Sequence, residues 1–160
     1  MTQENELEQS ILDLLNALDV KEQKKALRSA MRKEGNRLKK KAGSILSAKG
    51  LRHGSDVAKS LRVRVYPDKY GAGFMVTAKP RGKQGYHKNA RGKEKPIAMW
   101  AEEGTNARYK RNKKKSRTGS MGAYRFLADT QARSAGEVEN TLWADFQKNL
   151  DKALKKKNLL

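Results

Sequence analysis

The sequence predicts an α+β fold in which long N-terminal helices and a C-terminal helix pack on a small antiparallel β-sheet that carries long basic loops. Three observations lead to this prediction. Apolar residues recur at three- and four-residue spacings near both ends of the chain, which is typical of helices with one apolar face. Apolar and polar residues alternate between residues 61 and 78, as in half-buried strands. Basic residues gather in two stretches with few apolar neighbours, which predicts exposed loops.

The size of the chain predicts one domain, and its charge predicts an acidic partner. Its 160 residues are enough for a single domain over residues 1–160 with a modest core. The 37 lysines and arginines exceed the 17 acids and give a formal net charge of +20. Such a charge favours association with nucleic acid or acidic surfaces but does not specify a fold. On composition alone, a solvated basic surface without a partner is an equal alternative.

Composition also argues against several kinds of site. The chain has no cysteine and only two histidines, so it offers neither a disulfide nor a zinc site. No apolar run approaches the length of a membrane span. Residues 1–8 are acidic, which is the wrong sign for a targeting peptide. We therefore expect no cofactor, no metal and no membrane contact, and a cytoplasmic location at synthesis.

Two helices are predicted at the N-terminal end. The first covers residues 7–18 of an acidic segment, residues 1–19, whose acids suit the positive end of a helix dipole. This negative end can dock on a basic neighbour, such as another copy of the chain. The second helix follows a capping box formed by Asp19 and Glu22 and covers residues 20–48, with a stop signal at residues 49–50.

Three strands are predicted between residues 60 and 105. Residues 61–66 and 74–78 alternate between apolar and polar side chains on either side of a turn sequence, so an antiparallel hairpin is expected. Residues 97–101 form an apolar run of strand length that is soon followed by a glycine. This pattern predicts a buried third strand that leaves the core and enters a loop.

Two basic loops flank the predicted third strand. The first covers residues 79–95 and the second residues 106–119. The second loop has seven basic residues and no acid, so it stays solvated or binds a polyanion or an acidic partner. If both loops leave the sheet on related edges, their charges converge into one patch. The residues expected to contact DNA or a partner protein are Lys79, Arg81, Lys83, Lys88, Arg91 and Lys93 in the first loop and Arg108, Lys110, Arg111, Lys113, Lys114, Lys115 and Arg117 in the second.

A C-terminal helix is predicted within residues 123–157. Val138, Leu142, Phe146 and Leu150 recur at four-residue spacings and form its apolar stripe. A capping box at residues 134–137 predicts that the helix begins there or extends back to residue 127. The lysines at residues 155–157 suit the negative end of its dipole.

The sequence contains no recognisable catalytic constellation, and we expect a protein that is not an enzyme. His53 and His87 lie in polar loop sequence, and a small basic ribonuclease could use such a pair as acid and base. We keep that activity as a minor alternative. Tyr86 and Tyr109 are the aromatic residues within the basic loops, which is few for base stacking. Any DNA contact is therefore expected to involve phosphates without sequence readout.

Three short segments resemble the tail-completion, or head-tail joining, proteins of long-tailed bacteriophages, and the first is Ser60-Leu61, which stands where that family has Ser-Ile before a strand. Residues 100–105 resemble the strand of that family that ends in Glu-aromatic-Gly-Thr, and residues 125–127 resemble the Pro-Phe-Leu segment that opens its last helix. The order of predicted elements matches the family over residues 20–154. Three features depart from the family pattern: Glu103 stands in place of the aromatic residue, Arg125 replaces the proline, and the spacing from Gly54 to Ser60 is one residue longer.

The resemblance implies a structural virion protein of the phage neck. Such proteins form a ring, with a hexamer favoured, that joins the DNA-filled head connector or stopper to the tail tube. The resemblance therefore implies a location in the virion, and in the host cytoplasm during assembly. The basic loops would line the channel beside genomic DNA or grip acidic neighbouring ring proteins. The alternative is a free-standing, non-sequence-specific nucleic-acid-binding protein.

Gly104 and Thr105 are expected to form a structural turn at the end of the third strand. Glycine permits backbone conformations that a Cβ atom obstructs, and threonine can hydrogen-bond locally where a strand ends. No catalytic role is expected for either residue.

Overall fold

The computed structural model describes residues 12, 16, 18–51, 54–66, 72–78, 86–88, 94–109 and 117–157. For residues 86–88, 94–96, 108–109 and 117–118 the description covers the backbone. The fold is α+β, as predicted. The elements in chain order are α1 (Val20–Ala48), α2 (Gly54–Ser60), β1 (Leu61–Tyr66), β2 (Gly73–Ala78), β3 (Tyr86–Lys88), β4 (Glu94–Pro96), α3 (Ile97–Glu103), β5 (Arg108–Tyr109), β6 (Arg117–Gly119), α4 (Phe126–Ala132) and α5 (Ala135–Lys156).

The long N-terminal helix and the first hairpin agree with the sequence prediction. Helix α1 begins and ends at the predicted residues, and Gly50, just beyond its end, has a φ of 65°. That left-handed conformation is the usual way for a glycine to stop a helix. Strands β1 and β2 form the predicted antiparallel pair. Most of the predicted first helix lies outside the described residues, although Leu12 and Asn16 are helical.

The predicted third strand is wrong, because residues 97–103 form helix α3. Ala98 and Ala101 are buried at a three-residue spacing, whereas Met99 between them is 54% exposed. That burial follows the helical period and not the two-residue period of a strand. Pro96 directly precedes the helix, and proline is favoured at a helix start. An apolar run of five residues is too short for periodicity to separate the two structures.

The two predicted basic loops are wrong in part, because each contains strand residues. Strand β3 pairs with β4 in the register Tyr86↔Pro96, His87↔Lys95 and Lys88↔Glu94. Strand β5 pairs with β6 in the register Arg108↔Gly119 and Tyr109↔Arg117. Both pairs are antiparallel hairpins. We call residues 86–96 the first arm and residues 108–119 the second arm.

The C-terminal helix is divided in two, and a short helix precedes β1. Helices α4 and α5 are separated by Arg133 and Ser134, so the helix predicted within residues 123–157 does not run unbroken. Helix α5 begins directly after Ser134, but the hydroxyl of Ser134 is buried without a hydrogen-bond partner in the described part of the chain. Helix α2 adds Gly54–Ser60, which the sequence analysis did not assign to a helix.

The chain divides into two compact units. Unit 1 contains Met1–Gly35, Val65–Met75 and Ala135–Leu160, and unit 2 contains Asn36–Arg64 and Val76–Ser134. The single domain expected over residues 1–160 stays a prediction.

Unit 1 is built on the antiparallel packing of α1 and α5. Three bonds join the two helices or the residues that flank them, in antiparallel order: Lys157 Nζ, just after α5, to Asp19 Oδ2, just before α1, at 2.6 Å; Asn149 Nδ2 to the carbonyl of Ala26 at 3.2 Å; and Lys33 to Asp145 near the middle of both helices. Beneath these bonds lies an apolar core formed by Leu18, Ala26, Ala30, Phe146, Leu150 and Leu154. The two alanines let the helices approach closely.

Unit 2 is built around one aromatic residue, Phe126 at the start of α4, which is fully buried. The apolar side chains packed in the same core come from the second half of α1, from α2, from β1 and from α3: Ala42, Ile45, Leu46, Val57, Leu61, Ala98 and Ala101. Helices α3 and α4 therefore share one core, which positions the segments described next.

Candidate functional site

The end of α3 and the segment that leads into α4 are joined by backbone hydrogen bonds. The N–H of Tyr124 donates to the carbonyl of Ala101 at 2.7 Å, and the N–H of Arg125 donates to the carbonyl of Glu102 at 3.2 Å. The N–H of Thr105 donates to the carbonyl of Met121 at 2.8 Å. We call this joint, residues 101–105 with residues 121–128, the clasp. It fixes both ends of the chain segment that carries the second arm.

Gly104 and Thr105 form the turn at the centre of the clasp. Gly104 has a φ of 78°, and a Cβ atom added there would lie 2.8 Å from the carbonyl oxygen of Met121 and 2.9 Å from the nitrogen of Ala123. Real Cβ atoms do not approach backbone atoms so closely, so the turn requires glycine on two counts. The hydroxyl oxygen of Thr105 accepts a bond of 2.9 Å from the N–H of Met121, which completes a two-way pair with that residue.

Glu102 caps helix α4 from outside that helix. Its Oε2 accepts a hydrogen bond from the N–H of Leu127 at 2.8 Å, and its Oε1 accepts one from the N–H of Ala128 at 3.0 Å. The residue at the N-cap position, Arg125, is left-handed with a φ of 48° and makes no side-chain cap. A carboxylate placed at these N–H groups satisfies them and interacts favourably with the helix dipole.

The sequence analysis missed this role of Glu102. A weak signal was present, since Arg125 precedes the helix where Ser, Thr, Asp or Asn is usual, and an arginine side chain cannot accept hydrogen bonds. The first N–H groups of α4 therefore needed an acceptor from elsewhere.

Lys49, which directly follows α1, and Lys41 of α1 hold the two ends of α4. Lys49 donates to the carbonyl of Tyr124 and forms an ion pair with Asp129, with 2.5 Å between Nζ and Oδ2. The hydrogen bond from Lys49 lowers the pKa of Asp129 below its ordinary value of 3.8. At the other end, Lys41 donates to the carbonyl of Arg133 at 2.8 Å. Helix α4, and with it the clasp, is thus tied to α1 within unit 2.

Both basic arms join the same short helix. The first arm ends at Pro96, directly before α3, and the clasp that holds the second arm begins at the last residues of α3. Because an α-helix rises about 1.5 Å per residue, the eight steps from Pro96 to Gly104 span about 12 Å. The arms therefore leave unit 2 from neighbouring points, although α3 stands where the sequence analysis expected a strand.

Three of the predicted contact residues lie on the strands of the arms: Lys88 on β3, Arg108 on β5 and Arg117 on β6. His87 lies on β3 opposite Lys95. The remaining predicted residues fall outside the described part of the chain, and these are His53, Lys79, Arg81, Lys83, Arg91, Lys93, Lys110, Arg111, Lys113, Lys114 and Lys115.

Within the described ranges, no group of three or more histidines and acids is placed to hold a metal ion. None of the helices described is both long enough and apolar enough to cross a membrane. A comparison with protein families, with curated proteins and with solved structures finds no match to this chain.

Proposed function

We propose that this protein is a structural, non-enzymatic component of the bacteriophage neck. In this role it forms a ring, with six copies favoured, that joins the DNA-filled head connector or stopper to the tail tube. It would lie in the virion and, during assembly, in the host cytoplasm. The proposal extends the resemblance of residues 100–105 and 125–127 to the tail-completion proteins.

One observation carries the proposal: two of the three segments that show the resemblance, residues 100–105 and 125–127, meet in the clasp. Residues 106–124 separate them in the sequence, yet Glu102 and Thr105 of the first segment bond to residues 121–128 around the second. Two unrelated motifs that matched by chance would have no reason to meet. Their joint role in one turn supports the interpretation that they form a single motif.

The clasp suits a protein that presents a basic arm to a large partner. It anchors both ends of the second arm to a buried core, while residues 110–115 between the strands carry five basic residues and no acid. An anchored arm loses less conformational freedom on binding than a free loop of the same length. In a neck ring, such arms would contact the genome in the channel or acidic neighbouring proteins.

The experiment is a binding assay with the phage proteins on either side of the neck. The purified protein is mixed with head connector and with tail-tube protein, and complexes are separated by size-exclusion chromatography. We expect a complex with at least one of them, which is weakened when the seven basic residues of the second arm are replaced by serine. A matched control replaces seven basic residues of α1. The proposal is contradicted if the protein forms a complex with neither the head connector nor the tail-tube protein.

The alternative function is non-sequence-specific nucleic-acid binding, which the neighbouring roots of the two arms favour. Basic residues that leave one unit within about 12 Å of each other can contact the same stretch of phosphates. This function predicts duplex binding that weakens steeply with salt and is lost in the serine variant of the second arm. Duplex binding without any contact to neck proteins would favour it. The ribonuclease alternative requires that His53→Ala with His87→Ala abolish function.

A further inference from the structure

A groove with lysines on both walls lies between α1 and α5 in unit 1. Its apolar lining residues are Ala26 and Ala153, whose short side chains lie among the longer polar ones. The polar residues along it are Glu22, Lys25 and Ser29 from α1 and Asn149, Lys152 and Lys156 from α5. Three lysines thus share the groove with one acid. An apolar lining between basic walls is suited to an acidic segment that also has apolar side chains.

The charges beside this groove repel one another within each helix. Lys21 and Lys25 are one helical turn apart on α1, and Lys152 and Lys156 are one turn apart on α5. Like charges at this spacing destabilise a helix. A negatively charged partner in the groove would relieve this repulsion on both helices.

The sequence contains one region with the complementary character. Residues 1–20 include five acids and none of the 37 lysines and arginines, whereas the other 140 residues hold the remaining 12 acids. The helix predicted over residues 7–18 also carries an apolar stripe. An amphipathic helix binds a groove by laying its apolar face on the apolar lining, and here its acids would meet the lysine walls.

The acidic segment of the same chain is poorly placed for this groove. Leu18 is buried in the α1–α5 core, and the next residue, Asp19, bonds to Lys157, which directly follows the groove residue Lys156. Lys25 lies seven residues from Leu18, or about 10 Å along α1, whereas Glu8 lies ten residues away, or about 15 Å along a helix. Glu4 and Glu6 lie further still. In its own groove the segment would bring only Asp13 level with the lysines.

We propose that the acidic N-terminal segment of one copy docks in the α1–α5 groove of a neighbouring copy. The inference rests on the proposed ring, and it supplies that ring with a contact between like-charged subunits. Copies that each carry a formal charge of +20 repel one another, and a contact between opposite charges would offset part of this repulsion. Because the segment and the groove are different surfaces, the contact is head-to-tail and can close into a ring.

The experiment reverses the charge of the groove in one full-length variant and the charge of the acidic segment in another. The groove variant carries Lys25→Glu, Lys152→Glu and Lys156→Glu, and the segment variant carries Glu4→Lys, Glu6→Lys and Glu8→Lys. A control variant, with Lys40→Glu, Lys148→Glu and Lys155→Glu, has the same charge change as the groove variant on the same two helices. Assembly is measured by analytical ultracentrifugation, folding by circular dichroism, and duplex binding by fluorescence anisotropy.

We expect the wild type and the control to assemble. The groove variant and the segment variant, each measured alone, should associate about a hundredfold or more weakly than the wild type. Mixing these two variants restores assembly, because the acidic segment of one then meets the basic groove of the other. In a mixture of the control with the segment variant the control still assembles, but the basic segment of the variant finds no acidic groove, so the variant does not close into rings.

Any of three results would overturn the inference while leaving the proposed ring intact. The first is a groove variant that assembles like the wild type, and the second is a mixture of the groove and segment variants that does not assemble. The third is a groove variant that loses only duplex binding, which would make the groove a nucleic-acid surface. If the groove variant does not fold, Lys→Gln changes at the same three positions replace it, and unchanged assembly again overturns the inference. A wild type that never assembles contradicts the proposed function itself.

Discussion

The carboxylate of Glu102 accepts a hydrogen bond from the backbone N–H of Leu127 at 2.8 Å, although 25 residues separate the two in the sequence. This bond links the end of α3 to the start of α4 and closes the clasp. Glu102→Ala should therefore destabilise the protein by about 1 kcal/mol, the usual effect of removing a helix N-cap. Urea unfolding followed by circular dichroism measures the change. Glu103→Ala, at an exposed neighbouring position, is the control and should have little effect.

Glu102→Gln removes the charge of the cap together with one of its two acceptors. The amide keeps one acceptor oxygen but loses the second acceptor and the interaction with the helix dipole. We expect a free energy of unfolding between those of the wild type and Glu102→Ala. A glutamine variant as unstable as the alanine variant would mean that both oxygens are required.

Gly104→Ala should cost more than about 1 kcal/mol of stability, because alanine is strained at a positive φ and its Cβ would meet the carbonyl oxygen of Met121 at 2.8 Å. Gly119→Ala separates these two causes, since Gly119 has a φ of 99° but, among the described residues other than its chain neighbours, no atom lies within 4 Å of the added Cβ. Gly119→Ala should lower the stability of the protein clearly less than Gly104→Ala does. Equal effects in thermal unfolding would show that the close approach to Met121 contributes nothing.

The ion pair between Lys49 and Asp129 predicts a specific dependence of stability on pH. Because Lys49 lowers the pKa of folded Asp129 below 3.8, the stabilisation is present above that value and is lost as the pH falls through the folded pKa. The difference in unfolding free energy between the wild type and Asp129→Asn should be constant near neutral pH and shrink below about pH 4. Lys49→Met should weaken this dependence, and Arg133 and Arg125, which also lower the pKa of Asp129, retain the remainder. Urea unfolding at a series of pH values measures the difference.

Close packing of α1 and α5 predicts that unit 1 does not tolerate a larger residue at Ala30, which is fully buried. Ala30→Leu should destabilise the protein by about 1–3 kcal/mol through overpacking. Ala48→Leu, at the exposed end of the same helix, is the control. Hydrogen exchange should show faster opening of α5 in Ala30→Leu, and unchanged exchange would contradict the close approach.

The elements that the sequence predicts well are those with several agreeing local signals. The bounds of α1 follow from an apolar stripe of about five turns between Leu27 and Leu46, a cap at Asp19 and a stop at Gly50. Helix α3 was taken for a strand because five apolar residues cannot reveal a period. The strands of the two arms were missed because hydrophobic alternation detects only strands with one apolar face.

The candidate site was predictable in its residues but not in its contacts. A turn at Gly104 follows from local chemistry, whereas the cap that Glu102 provides depends on a partner 25 residues away. The one sign of this cap in the local sequence is that position 125 holds no capping residue. The partners of the basic residues between the arm strands, such as Lys113 and Lys114, stay a prediction.

The central claim is that this chain assembles into a neck ring, and native mass spectrometry with electron microscopy of the purified protein tests it most directly. We predict a closed ring, with six copies favoured and an open centre that admits duplex DNA. A folded protein that remains a monomer at every concentration, alone and with connector or tail-tube protein, would contradict the account.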